Sequence, residues 1–158
     1  MTLSQKIAVA LKDRSNESTV VEAAEDACKV VLRLREASGV GVALEALEFS
    51  TTRRDAWSPD ALRAWGDRIA SRLTYLMEPL VVLELDPIGG EAEIRSQTPT
   101  RRGEQYSYYQ IRLHKDGGLR LVRTLFNADE RTKTPGLCRF TNEVLERLVD
   151  DLAGSVAV

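Results

Sequence analysis

The chain holds one histidine, His114, and two cysteines, Cys28 and Cys138, so any histidine-dependent chemistry must use His114. Nucleophilic catalysis needs an activated nucleophile with a base in hydrogen-bond reach. The one such pairing on offer is His114 with Cys138, and it requires the chain from Asn127 to Pro135 to fold back over its neighbours. Cys28 lies among Ala and Val and reads as packing. There is no G-x-S-x-G elbow and no Walker A loop. PIGGEAE (Pro87 to Glu93) is a turn that leads into a strand, not into the helix a phosphate cradle needs. The two cysteines form no paired-spacing motif, which excludes zinc ribbons and C-x-x-C redox chemistry. No catalytic residue, metal ligand or cofactor-binding residue is singled out; an Asp/Glu acid–base pair has no local signature to find.

The residues that do stand out are aromatic and basic. Tyr106 to Phe126 holds three of the four tyrosines, the only histidine and three arginines. Apolar residues alternate there with polar ones, as in a half-buried hairpin. Tyr109, Ile111, Leu113, Leu119, Leu121 and Leu125 sort to one side, with Arg123 intruding and expected to reach past an edge. Pairing Leu113 with Leu121 puts His114 opposite Arg120 and leaves Asp116, Gly117 and Gly118 as the loop. The other side carries Tyr106, Tyr108, Arg112, His114, Arg120 and Phe126. It is too polar to lie under a helix and too aromatic for plain solvent lining. Arg131 and Lys133, in the irregular segment that follows, add a basic loop.

Three readings compete for this face. One is a solvated surface with cross-strand polar pairs. The second is a protein-binding or self-association surface, since Tyr and Arg bury area while keeping a polar handle. The third is a nucleic-acid platform, with rings stacking bases while Arg95, Arg112 and Arg120 meet phosphates. The net charge of -2 counts against the third, because phosphate binding draws on a broad positive field. The basic excess is confined to residues 104–139, with seven Lys/Arg against four Asp/Glu.

A neighbouring hairpin raises a question of like charge. Pairing Leu83 with Ile94 sets Glu84 against Glu93 and Asp86 against Glu91, which is unfavourable unless a divalent cation relieves it. Sliding the register by two residues pairs Glu84 with Arg95 instead and is the favoured arrangement.

At 158 residues, 43% apolar and 29% charged, the sequence predicts one globular domain over 1–158 with a sizeable core. No apolar run approaches the ~18 residues of a membrane span, and the start lacks a signal peptide's apolar region; a cytoplasmic protein is expected. Helices are predicted near the start, where Thr2 and Gln5 form a capping box, and from Thr19 to about Gly39. A third should start at Ser58–Pro59–Asp60, and a last one should run along Phe140, Val144, Leu148 and Leu152. Residues 40–49 are assigned as a strand, because a structureless loop of that length is improbable in a compact domain. Four strands follow, with Val81, Leu83 and Leu85 inward on the first. The expected fold is α+β: a four- or five-stranded antiparallel β-meander with about four helices packed mainly on one face. The expected function is non-catalytic binding or self-association through the open face, with a protein partner or homodimer; a nucleic-acid-binding domain, or a small enzyme with an Asp/Glu or Cys–His site, is the alternative.

Overall fold

The computed structural model describes residues 1–157. Along the chain it places helix α1 (Leu3–Asp13), strands β1 (Val20–Glu25), β2 (Cys28–Ala37) and β3 (Gly41–Thr51), and helix α2 (Pro59–Arg72). Strands β4 (Leu80–Asp86), β5 (Glu91–Ser96), β6 (Thr100–Arg102), β7 (Gln105–His114), β8 (Gly118–Asn127), β9 (Thr132–Gly136) and β10 (Cys138–Thr141) precede the last helix, α3 (Asn142–Ser155). The class is α+β as expected, but its sheet has ten strands and its described helices number three.

Local chemistry accounts for the helices. Thr2 and Gln5 complete the capping box of α1, satisfying backbone donors that would otherwise be orphaned. Ser58 caps α2 through the Ala61 N–H, with Pro59 in its first turn. Thr141 caps α3. Phe140, expected on that helix, belongs instead to β10.

The helix expected from Thr19 to Gly39 is a hairpin, β1–β2. CKVVLRLREA alternates buried and exposed positions from Cys28 to Arg35, the two-residue period of a strand. Its β-branched valines pack well on a pleated surface. Asp26 turns the chain at φ 55°, a left-handed conformation that Asp tolerates in a two-residue hairpin loop. Residues 41–49 do form a strand, within β3, while Val40 lies in the turn before it.

Every strand pair is antiparallel, in the order β1-β2-β3-β8-β7-β5-β4. The registers carry core rows straight across all seven. One row runs Val21, Leu32, Leu47, Leu121, Ile111, Ile94, Val82. On this side α1 packs on β1 and β2, α2 on β4 and β5, and α3 on β3 and β10. Trp65, Ile69, Leu145 and Leu148 fill the space between helices and sheet.

β3 and β8 pair only between Leu47 and Ser50 and then part. Into the fork runs the segment expected as an irregular loop. β9 pairs with β8 toward the vertex and β10 returns along β3, with Cys138 buried near the turn. The loop expectation fails because its Thr and Lys residues make a short exposed strand with no apolar alternation to announce it. Among the described residues, no helix is long and apolar enough to cross a membrane.

Candidate functional site: the open face of the sheet

The row beside the core row just traced points away from the helices. It reads Glu22, Val31, Glu48, Arg120, Arg112, Glu93, Glu84. The hairpin register is two residues from the expected one: Leu113 faces Leu119, and Arg112, not His114, faces Arg120. Both patterns keep core residues on the core side, so alternation alone could not choose between them. Gly117 takes the left-handed position in the turn, at φ 92°.

Two guanidinium groups opposite each other repel, and flanking strands offset this. Glu93 Oε1 accepts from Arg112 Nη2 at 3.2 Å, and Arg95 Nε lies 3.2 Å from Glu93 Oε2. The Gln110 amide also donates to Glu93. On the other flank Arg33 Nε donates to Glu48 at 2.6 Å. That hydrogen bond, against a counteracting effect of burial and with help from the charges of Arg33 and Arg120, holds the Glu48 carboxyl below the ordinary range. Arg120 itself is exposed. A hollow of about 520 Å³ opens here, bordered by Lys29, Glu48, Glu91, Arg112, His114 and Arg120.

The carboxylates on β4 and β5 do face each other, Glu84 with Glu93 and Asp86 with Glu91. The slide expected to separate them does not occur, because a bulge at Leu83 already sets Val82 against Ile94. Arg112 and Arg95 supply the compensating charge from within the sheet. Among the described residues, no group of three or more His, Cys, Asp or Glu side chains is placed to hold a metal.

The aromatic residues gather at the far end of the hairpin. Tyr106 faces Phe126, and Phe126 faces Lys133 on β9. Arg101 lies over the Tyr106 ring at 5.4 Å and Arg95 over the Tyr108 ring at 5.2 Å, distances at which a cation is attracted by the ring face. Tyr108 is thereby buried, while Tyr106 and Phe126 are half-exposed. Base stacking on Tyr108 would have to displace Arg95, which weighs against the nucleic-acid reading. Arg131 occupies the β8–β9 turn at φ 55°, where Asn127 Oδ1 accepts from the N–H groups of Asp129 and Glu130. The structure thus brings Arg112, His114 and Arg120 together at one end and Tyr106, Tyr108, Phe126 and Lys133 at the other. Arg131 stands beyond them.

His114 and Cys138 are not brought together. His114 lies opposite Glu91, with Nδ1 3.2 Å from Asp116 Oδ1. Cys138 is buried opposite Leu44. Burial pushes its thiol up to about 12, against the opposing charge of Arg123. This thiol is an inert packing group rather than a nucleophile.

Sequence reasoning missed a polar cluster on the core side. Arg123 does not reach past an edge. Its Nη2 donates to Glu78 Oε2 at 2.7 Å and to Ser107 Oγ at 2.8 Å, and its guanidinium lies 4.4 Å from the Tyr109 ring centre. Glu78 also accepts from Ser96 Oγ and Thr100 Oγ1, both at 2.5 Å. Burial would raise the Glu78 pKa, but these three partners hold it below the ordinary value. A charged residue at an inward position is the one signal that pointed here, and its partner lies 45 residues away in the chain. A second hollow, of about 500 Å³, lies between α1, the β2–β3 turn and α3, floored by Ile7, Val42 and Leu145. Neither Glu78 nor Cys138 lines either hollow.

Comparison with protein-family models, with curated proteins and with solved structures finds no match to this chain.

Proposed function

We propose that this protein is a non-catalytic binding module that docks a protein, either a second copy of itself or a different chain, on the open face of its sheet. The reading rests on one observation: α1, α2 and α3 pack against the core side of the sheet, while the opposite side presents Arg112, Arg120, His114 and the half-exposed pair Tyr106–Phe126 uncovered. Such a face suits a partner of mixed charge. Arg120 has no carboxylate within ion-pair distance among the described residues, so a partner carboxylate would find a donor that folding has not consumed. Arg112 is held by Glu93 at 3.2 Å, which lowers the entropy it loses on docking. Catalysis has less behind it: the groups whose proton affinity is most displaced, Cys138 and Tyr75, are held in packed or hydrogen-bonded surroundings.

Affinity capture with the wild-type chain beside the Arg112→Glu/Arg120→Glu double variant tests the reading. A partner held by the wild type and lost by the double variant, in a chain still folded by circular dichroism at the capture temperature, supports it. A partner held equally by both removes this face from the account.

A further inference from the structure

β4 ends the sheet. It pairs with β5 along Leu80–Asp86, and among the described residues its other backbone edge faces no strand. Unpaired N–H and C=O groups along an edge are a template for another strand. Beside the exposed Glu84 and Asp86, apolar side chains are exposed there: Val81 is 40% exposed and Leu83 49%, and the flanking Met77 and Ile88 are 94% and 95% exposed. These are four of the eight large apolar residues most exposed among those described. Scattered exposed apolar residues are ordinary; a group of them along one open edge marks a contact surface.

The edge also matches itself. Val82 and Leu85 face the core, opposite Ile94 and Ala92, while Val81 and Asp86 lie on the open side, opposite Arg95 and Glu91. At the bulge Leu83 and Glu84 are both exposed. The sequence of faces therefore reads the same from either end, about a point between Leu83 and Glu84. An antiparallel copy related by a two-fold axis at that point sets Val82 against Leu85 and Val81 against Asp86. A one-residue slip would set core-facing against open-facing side chains. The charges agree with this register. Asp86 and Glu91, mutually repelling within one copy, fall in line with Val81 and Arg95 of the other. Ile88 comes level with Pro79 of the other copy, beside Met77.

We propose that two copies of this chain join edge to edge through β4, antiparallel about that axis, so that the two sheets become one. The open faces stay free, so this association is independent of docking on them. A bulge discourages indiscriminate strand addition at an edge, which leaves the face-matched register as the favoured one. The contact is smaller than the ~800 Å² per partner of a typical stable interface, so a concentration-dependent dimer is expected.

Size-exclusion chromatography with light scattering across a concentration series reads this directly. Leu83→Lys and, separately, Val81→Lys should raise the dimer dissociation constant more than about tenfold at unchanged circular dichroism, since both positions are already exposed. Arg112→Glu/Arg120→Glu should leave the dimer intact. Mixing Val81→Cys chains with Asp86→Cys chains should give a disulfide-linked dimer, because directly opposed antiparallel positions lie within disulfide reach. Val81→Cys alone should not crosslink. A wild-type chain that is monomeric throughout overturns the proposal. So does a dimer that ignores both lysine variants, and a dimer lost in the arginine double variant places association on the open face instead.

Discussion

Arg123 Nη2 lies 2.7 Å from Glu78 Oε2 on the core side of the sheet, with side chains 15% and 7% exposed. Removing one partner of a buried pair strands the other, at roughly 3–5 kcal/mol. Arg123→Ala and Glu78→Ala should each cost about that much in urea denaturation, and the double variant should cost clearly less than their sum. The folded Glu78 carboxyl titrates below its unfolded value of about 4.3. Its contribution is therefore complete above that unfolded value and is lost as pH falls through the folded one. Glu78→Gln should flatten the acid limb of stability against pH. An acid limb of unchanged slope would mean that Glu78 carries none of this dependence.

Arg112 and Arg120 face each other yet should respond differently to truncation. Arg112 compensates Glu93, whose side chain is only 10% exposed. Arg112→Ala leaves that carboxylate to Arg95 and Gln110, and a loss of about 1–3 kcal/mol is expected. Arg120 is exposed and truncating it relieves a like-charge contact, so Arg120→Thr should shift stability by less than about 0.5 kcal/mol. Equal losses at the two sites in parallel urea titrations would contradict the arrangement of this row.

Fold and face were legible in the sequence to different depths. α2 was plain because Ser58, Pro59 and Asp60 announce its start with three independent signals. β1 and β2 were not, because Val20, Ala24, Ala27, Val31 and Leu34 also satisfy a helical spacing. The alternation from Cys28 to Arg35 and a turn at Asp26 decide otherwise. In β4 the period of two was visible but its phase was wrong before the bulge: Val81 and Leu83, expected inward, are exposed while Leu80 and Val82 pack on the core, and after the bulge Leu85 packs on the core as expected. Alternation says that two faces exist; which is buried depends on where α2 lies. Which residues of β7 and β8 share a face was readable, since a hairpin is local, although the register lies two residues from the expected one and Tyr108 is buried. Their partners were not: Glu48 and Glu93 arrive from β3 and β5, and no pattern within residues 106–126 encodes those pairings.

Cys28 and Cys138 are both buried and free. Thiolate is the reactive species, and a thiol pushed up to about 12 supplies almost none at pH 8. Ellman's reagent should therefore leave Cys138 unmodified in the folded chain and titrate both thiols after unfolding in guanidinium. A fast-reacting Cys138 in the native protein would mean that the β9–β10 turn opens readily and that the fork between β3 and β8 is not well packed.

Trp57 and Trp65 stack with ring centres 4.6 Å apart, but their indole N–H groups fare differently. Trp65 Nε1 donates to the buried Ser155 Oγ at 3.0 Å, tying α2 to the end of α3. Trp57 Nε1 is buried without a hydrogen-bond partner among the described residues, and Arg54 lies 4.8 Å from its ring centre. Phenylalanine keeps much of the apolar contact in either place and removes only the donor and part of the ring. At Trp65 that removes a buried hydrogen bond, although Ser155 Oγ keeps donating to the Leu152 carbonyl at 2.6 Å, and it should cost about 0.5–1.5 kcal/mol beyond the loss of ring area. At Trp57 it removes an unsatisfied donor, which offsets part of the lost contact, so Trp57→Phe should be the milder change. Melting temperatures of the two variants, read by circular dichroism because the substitution alters tryptophan fluorescence, give the order; the reverse order would place the supporting hydrogen bond at Trp57.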